Sequence, residues 1–264
     1  MNIITCIKQV PASSDVQVDE ETGVLKRDGA AVKLNPYDLY ALELAFTLAK
    51  PQDKILALTM GPPQAKAAIE EALCMGAHEG AVLSDRRFAG ADVLATSRAL
   101  ANGVQKLANG EGYGLVLCGK QTTDGDTAQV GAEMAEFLGI AHIANVEAVL
   151  ALDETSVTVR AQQDALLVTA TLDLPCLLCT DGNINVPRLP SYQRKMALKP
   201  DAVRIYSLDD LSDSDPMHYG QNGSPTQVVR IFPPEKSDGR EMLQGDANTL
   251  AEKLHTLLAA KKFL

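Results

Sequence analysis

The chain is short of positive charge. Its 264 residues carry 24 Lys and Arg against 34 Asp and Glu, a formal net charge of −10. A field of that sign repels polyanions, which argues against a nucleic-acid or anionic-membrane partner. Any bound phosphate then needs a local array of backbone N–H groups. Long hydrophobic runs are missing too. A membrane span needs roughly 20 apolar residues, and the stretch "ALLVTATLDLPCLLC" is broken by Asp173 and Pro175. The opening "MNIITCIKQVP" has no basic segment ahead of an apolar one, so no signal peptide is expected. Five cysteines without tight spacing suit a reducing cytoplasm. The histidines (His78, His142, His218, His255) are scattered and offer no metal cluster. No repeat, low-complexity tract or Ser/His/Asp spacing stands out.

What is present is a core. Apolar residues make up 46% and charged residues 22%, enough for one sizeable domain or a domain with an appendage. Residues 2–8 read as a first buried strand, and Val16–Gly29 as a hairpin turning at Thr22-Gly23. "LNPYDLYALELAFTLAK" starts a helix, with Asn35 as N-cap and Pro36 at the first helical position. Strands at 54–60, 80–85 and 114–118 then alternate with helices at 61–77, 91–108 and 127–138. Continuous apolar strands alternating with helices predict a parallel sheet covered on both faces. From Val146 to Thr180 the texture is β, with turns at Asp153-Glu154 and Gln163-Asp164. Residues 181–245 are rich in Pro, Ser, Asp and Gly and promise little core. A last helix, 248–262, stripes Leu250, Leu254, Leu257 and Leu258. The expected fold is α/β: a parallel-sheet nucleotide-binding domain, 1–190, with added strands, and an arm, 191–264, that packs on a partner subunit.

Ligands of parallel sheets sit beyond the carboxyl ends of the strands. Polar loops converge there: "CIKQVP", "NPYD", "TMGP", "SDRRFAGAD" and, above all, "GKQTTDGDTAQVG" (119–131). The last is neither a Walker loop nor a Gly-x-Gly-x-x-Gly fingerprint. Its chemistry still suits a phosphate. Gly125 admits a close ligand, and Thr127 to Gln129 are expected to present free N–H groups at a helix start. Asp124 and Asp126 would repel a phosphate, so they are expected to cap the helix or accept ribose hydroxyls. A capped strand-to-helix turn is the plainer explanation of the same residues, and both stay open. Cys176 and Cys179 have the two-residue spacing of a redox or zinc pair, but side chains three apart on a strand point to opposite faces, so core packing is expected.

From "CIKQVP" through "LNPYDLYALE", "TMGPPQAKAAIEEALCMGA", "LSDRRFAGADVLATSRALA" and "LVLCGKQTTDGDTAQVGAEMAEFLG" to "DLPCLLCTDGNINVPRLPSYQRKMALK" and "GSPTQVVRIFPP", the chain resembles the β subunit of electron-transferring flavoproteins. The resemblance covers nearly the whole length and implies an adenine nucleotide α-hydrolase-like fold. It implies a heterodimer with an α subunit that holds one FAD. The β subunit holds an adenine nucleotide: AMP as a structural filler in simple members, a second FAD reduced by NADH in the flavin-bifurcating ones. The partners implied are a flavin-dependent dehydrogenase, acyl-CoA types among them, and ferredoxin or flavodoxin. The complex, more than the chain alone, would then be an NADH-dependent oxidoreductase.

Carried over by position, the nucleotide would be lined by Cys6, Asn35, Met60, Gly119, Lys120, Gln121, Thr122, Thr123, Asp124, Gly125, Asp126, Thr127, Ala128, Gln129 and Val130. Asp92 and Thr96 match the FAD-holding group. Simple members resemble Asp-Asp-Asp-Cys-Asn-Gln-Thr-Gly where this chain has Asp124 to Gly131, and Gly125 and Ala128 open the path an FAD would need. The chain departs from the family at Val168 and Ala170, in the strand region, and at Tyr192, where simple members carry a leucine that anchors the dehydrogenase. An aromatic anchor is a workable replacement. An adenine-nucleotide hydrolase or ATP sensor of similar architecture is the reading from a different class.

Overall fold

The computed structural model describes residues 1–12, 31–229 and 242–264; the hairpin expected at Val16–Gly29 lies outside them. In chain order the strands and helices are β1 (Asn2–Cys6), β2 (Gln9–Pro11), β3 (Val32–Leu34), α1 (Pro36–Leu48), β4 (Lys54–Met60), α2 (Lys66–Met75), β5 (Glu79–Leu83), α3 (Val93–Ala108), β6 (Leu115–Gly119) and α4 (Val130–Leu138). There follow β7 (Ala141–Leu152), β8 (Ser156–Gln163), β9 (Leu166–Asp173), β10 (Cys176–Thr180), α5 (Tyr192–Ala197), β11 (Val203–Tyr206) and α6 (Ala247–Ala260). The boundaries match the apolar runs closely, since a strand buried on both faces cannot carry polar residues in its middle.

Nine strands among the described residues form one sheet in the order β11-β5-β4-β1-β6-β10-β7-β8-β9. The first seven run parallel and the last three form an antiparallel meander. Alternate residues feed two cores. Ile3, Ile55, Leu115 and Leu178 pack with Leu42 and Ala45 of α1 and Ile69 and Ala72 of α2. Ile4, Leu56, Val116 and Leu177 meet Leu100 and Val104 of α3 and Met134 of α4 on the other face. Full burial of each such side chain stabilises by about 1.5–3 kcal/mol. Cys176 lies in the first core and Cys179 in the second, and all five cysteines are free and buried.

The succession β1, β4, β5 builds the sheet outward on one side, and β6 then crosses to the other side of β1. The strand order therefore reverses between β1 and β6, and their carboxyl ends open the crevice where doubly wound sheets bind ligands.

The structure corrects the expected arm. The described residues divide into two units, 1–12 with 31–229, and 242–264, so the division falls well beyond 190. The segment after α5 has a core role that its polar composition hides. Val203–Tyr206 pairs in parallel with β5 as a new edge strand. Leu208, Leu211 and Tyr219 are buried, and the Tyr219 ring meets Phe88 edge to face, with centroids 5.6 Å apart. Its hydroxyl donates to the Asp213 carbonyl at 2.7 Å. In the second unit, Asp246 caps α6 by accepting from the Thr249 N–H at 2.9 Å.

This packing predicts a cost for Tyr219→Ala of about 3–5 kcal/mol, as for other aromatic truncations in cores. Tyr219→Phe, which loses one hydrogen bond, is expected to cost about 1 kcal/mol. Urea unfolding of the two variants decides it; equal, negligible losses would mean that residues 203–224 do not share the main core.

Candidate functional site

The crevice is organised by the start of α1. Asn35 occupies the N-cap position, but its side chain does not cap the helix. Its amide donates to the Gln121 carbonyl at 2.9 Å and accepts from the Thr123 N–H at 3.3 Å, so it holds the loop after β6. Asp38, one turn on, is buried. It accepts from the Lys8 N–H at 2.7 Å, just past β1, and its other oxygen lies beside the Gly119 N–H at the end of β6. Burial pushes its carboxyl up to about 7, against the opposing pull of Asn35, the two N–H groups and the Lys8 charge. Gly119 has to be glycine: a Cβ there would stand 2.5 Å from Asp38 Oδ1 and 2.6 Å from the Tyr37 carbonyl carbon.

Two of the loop's charges, Lys120 and Asp124, are paired within the chain. Lys120 Nζ donates to Asp181 at 2.7 Å, and the pair holds the Lys120 ammonium above and the Asp181 carboxyl below their ordinary ranges. Lys8 Nζ reaches both Asp124 oxygens at 2.9 Å. Burial opposes ionisation of Asp124, yet the Lys8 contact outweighs it and lowers the carboxyl. Asp126 accepts from the Gln121 amide. Neither Asp124 nor Asp126 caps a helix, which overturns the expected capping: each is taken by a partner nearer to it than the start of α4.

The start of α4 also lies further along than expected. Thr127 to Gln129 precede the helix, which begins at Val130. Gln129, at the cap position, makes no side-chain cap, so the first-turn N–H groups of Val130, Gly131 and Ala132 have no intrahelical partner. Asp126 and Ala128 hold left-handed backbone angles, φ +54° and +56°. Residues 123–129 are exposed. A loop with Asp124 neutralised and Asp126 occupied by an amide, edged by uncapped N–H groups, is a place to seat an anion.

The structure brings most of the expected site residues to this one end of the sheet. Cys6 ends β1 beside Cys118 of β6, and Met60 ends the neighbouring β4. Thr96 lies in the first turn of α3, where Ser97 Oγ donates to the Val93 carbonyl at 2.7 Å and stands 3.3 Å from the Val130 carbonyl. Asp92 is engaged elsewhere. It caps α3 through the Ala95 N–H at 3.1 Å and accepts from the Thr226 N–H and hydroxyl at 3.0 and 2.7 Å. Two residues of the crevice escaped sequence reasoning, Lys8 and Asp38. Both lie in loops marked as polar, but their pairing spans 30 and 116 residues and leaves no local pattern.

A family model described as "Electron transfer flavoprotein domain" matches residues 22–211. The chain is 42% identical over 231 residues to an electron transfer flavoprotein subunit beta of Clostridium acetobutylicum, covering 87% of each. It is 39% identical over 267 residues to the caffeyl-CoA reductase-Etf complex subunit CarD of Acetobacterium woodii, covering 100% of both. Protein FixA of Azorhizobium caulinodans matches at 39% over 244 residues, 89% of this chain and 85% of its own. The chain belongs to the electron transfer flavoprotein β-subunit family. Its role is electron transfer.

The second surface of this β subunit is the segment around α5. Val186, Leu189, Tyr192 and Met196 are 88%, 88%, 75% and 69% exposed. The segment is nevertheless fixed: Arg188 makes a two-pronged ion pair with Glu43 at 2.8 and 2.9 Å, and the Ser191 N–H donates to the Cys74 carbonyl. Val168 and Ala170 lie on β9, the edge strand farthest from β11, four strands from β6. No helix among the described residues is long and apolar enough to cross a membrane, and no group of His, Cys, Asp and Glu among them is arranged to hold a metal.

Asp38 generates a test. Its folded pKa lies above the unfolded value, so from about pH 4 to 7 the folded state keeps a proton that the unfolded state releases. Stability falls as pH rises through that window, by up to about 1.4 kcal/mol per pH unit. The difference in stability between wild type and Asp38→Asn is therefore expected to slope with pH between 5 and 7 and flatten above it. Parallel stability profiles for the two proteins would refute the assignment.

Proposed function

We propose that this β subunit pairs with an α subunit and carries electrons between NADH, a flavin-dependent dehydrogenase and a low-potential acceptor of the ferredoxin or flavodoxin class, with an FAD seated in the β1/β6 crevice. The full-length match to a subunit of a caffeyl-CoA reductase-Etf complex supports a dehydrogenase partner acting on a CoA thioester.

The observation that carries the choice of FAD is Gly125. Its φ is not in the left-handed region, and a Cβ there would meet only Thr122 Oγ1, at 3.3 Å. Neither backbone strain nor packing accounts for the missing side chain. What a side chain would occupy is the open space over the loop, which a pyrophosphate has to cross. The N–H groups around the start of α4 would hold the phosphates, with the hydroxyls of Thr122, Thr123 and Thr127 beside them. Asp126 and Ala128 keep backbone angles costing roughly 1–2 kcal/mol each, strain of the kind retained where a loop is shaped for a ligand. Bound FAD would accept an electron pair and release electrons singly. The protein's part is to seat and orient it. A single phosphate would also fit the N–H array, so AMP is the alternative occupant and would make the crevice structural.

Two measurements test this. The heterodimer, co-expressed with its α subunit, is expected to contain two flavins, with FAD released from this chain on mass spectrometry. Gly125→Asp, which adds bulk and negative charge beside the phosphates, is expected to remove one of the two and abolish NADH oxidation. AMP and a single flavin in the wild type would replace the FAD reading with the simple-carrier one. Separately, Tyr192→Ala is expected to slow electron exchange with the dehydrogenase by about tenfold, the loss of one interface anchor, with nucleotide content unchanged. Unaltered exchange kinetics would remove Tyr192 from the docking surface.

A further inference from the structure

We infer that Lys8 is the residue that makes this acidic loop acceptable to a phosphate: its ammonium cancels Asp124 across the mouth of the crevice, and so sets affinity for the charged part of the nucleotide. The inference rests on the nucleotide reading of the same crevice. Three features carry it.

The first is that Lys8 is aimed. Its N–H donates to Asp38 Oδ2 at 2.7 Å and its carbonyl accepts from the Asn35 N–H at 2.8 Å, so both sides of its backbone are fixed to the start of α1. The second is geometry. Nζ stands 2.9 Å from each Asp124 oxygen, a bridge between the exits of the two strands that flank the crevice. The third is the commitment of the other lysine. Lys120 is held by Asp181 at 2.7 Å, with side chains 27% and 16% exposed, whereas Lys8 and Asp124 are 43% and 26% exposed, toward the crevice mouth.

An ion pair this exposed adds little to folding. Its value lies in what Asp124 would do alone. An uncompensated carboxylate on the loop that receives the phosphate acts over several ångströms at the effective dielectric of a protein surface. With Lys8 in place the charge of Asp124 is cancelled, which leaves the hydrogen-bonded Asp126 as the loop's one carboxylate without a cation at contact distance among the described residues, set against the uncapped N–H groups of α4.

The test is equilibrium dialysis of the full-length chain, co-expressed with its α subunit and stripped of nucleotide, against AMP and against adenosine. Lys8→Met is expected to weaken AMP by about 10–30-fold, the loss of one charge-assisted interaction, and adenosine by less than about twofold. Lys8→Arg, which keeps the charge, is expected to bind both as wild type does. Lys8→Met combined with Asp124→Asn is expected to return AMP affinity to within about threefold of wild type. Unchanged AMP affinity in Lys8→Met overturns the inference. So does a parallel loss of adenosine, which marks a purely structural role, or a double variant as weak as Lys8→Met. Wild type that binds neither probe would overturn the nucleotide reading itself, and this inference with it.

Discussion

One short turn ties this molecule together. The first residues of α1, Asn35 to Asp38, hold the exits of β1 and β6, the two strands between which the sheet reverses direction. Asn35 supplies an amide to the far loop, and Asp38 takes the N–H just past β1 while packing against Gly119 at the end of β6. A carboxyl buried this deeply is costly. Its compensation is geometric: the backbone N–H just past β1 would otherwise be left short of a partner in a dry place. The crevice is therefore preset by a buried polar knot below it and does not depend on the exposed residues at its rim.

That arrangement resolves an electrostatic conflict. A chain with a net charge of −10 repels phosphate at a distance, and the loop expected to receive one contains two aspartates. Each is neutralised or occupied inside the protein, Asp124 by Lys8 and Asp126 by the Gln121 amide, while Lys120 is spent on Asp181. Beside them lies the uncapped start of α4, whose N–H groups have no helical partner and attract negative charge over a short range. Short-range dipoles suit such a protein. Such dipoles act on an anion that has already entered a crevice and leave the whole surface unattractive to polyanions.

Much of the fold was legible because both parallel-strand burial and helix capping leave local marks. The runs "KILALTM" and "GLVLC" coincide with β4 and β6 to within a residue, and Pro36 and Gly76 bracket α1 and α2. The alternation of Cys176 and Cys179 between the two cores followed from strand periodicity alone. The edge strand Val203–Tyr206 was not legible. It has four residues, two of them exposed, and its partner lies more than a hundred positions upstream. The crevice was legible as a set of loops, but its wiring was not. Asn35 looked like a cap and serves as a tether; Asp124 looked like a cap and serves as the counter-charge of a lysine. Cap residues and crevice residues have the same short polar side chains, so composition cannot tell one use from the other.

The placement of the exposed segment completes the picture. After β10 the chain passes Asp181, bound to Lys120 at the crevice, then Asn185 on the Tyr40 carbonyl, Arg188 on Glu43 and Ser191 on Cys74 at the end of α2. Each contact lies further along α1 or α2 than the last, so the segment descends the outside of the domain from the carboxyl to the amino ends of the strands. A helix of 13 residues spans roughly 20 Å, which sets the scale of the separation between Tyr192 and the loop 119–131. The exposed apolar segment and the crevice thus lie at opposite ends of one layer. A partner gripping Val186, Leu189, Tyr192 and Met196 makes no demand on the conformation of residues 119–131. The two surfaces can change independently, since no hydrogen bond or ion pair among the described residues joins α5 to residues 119–131, while the Asn35–Asp38 turn keeps the crevice end of the scaffold fixed.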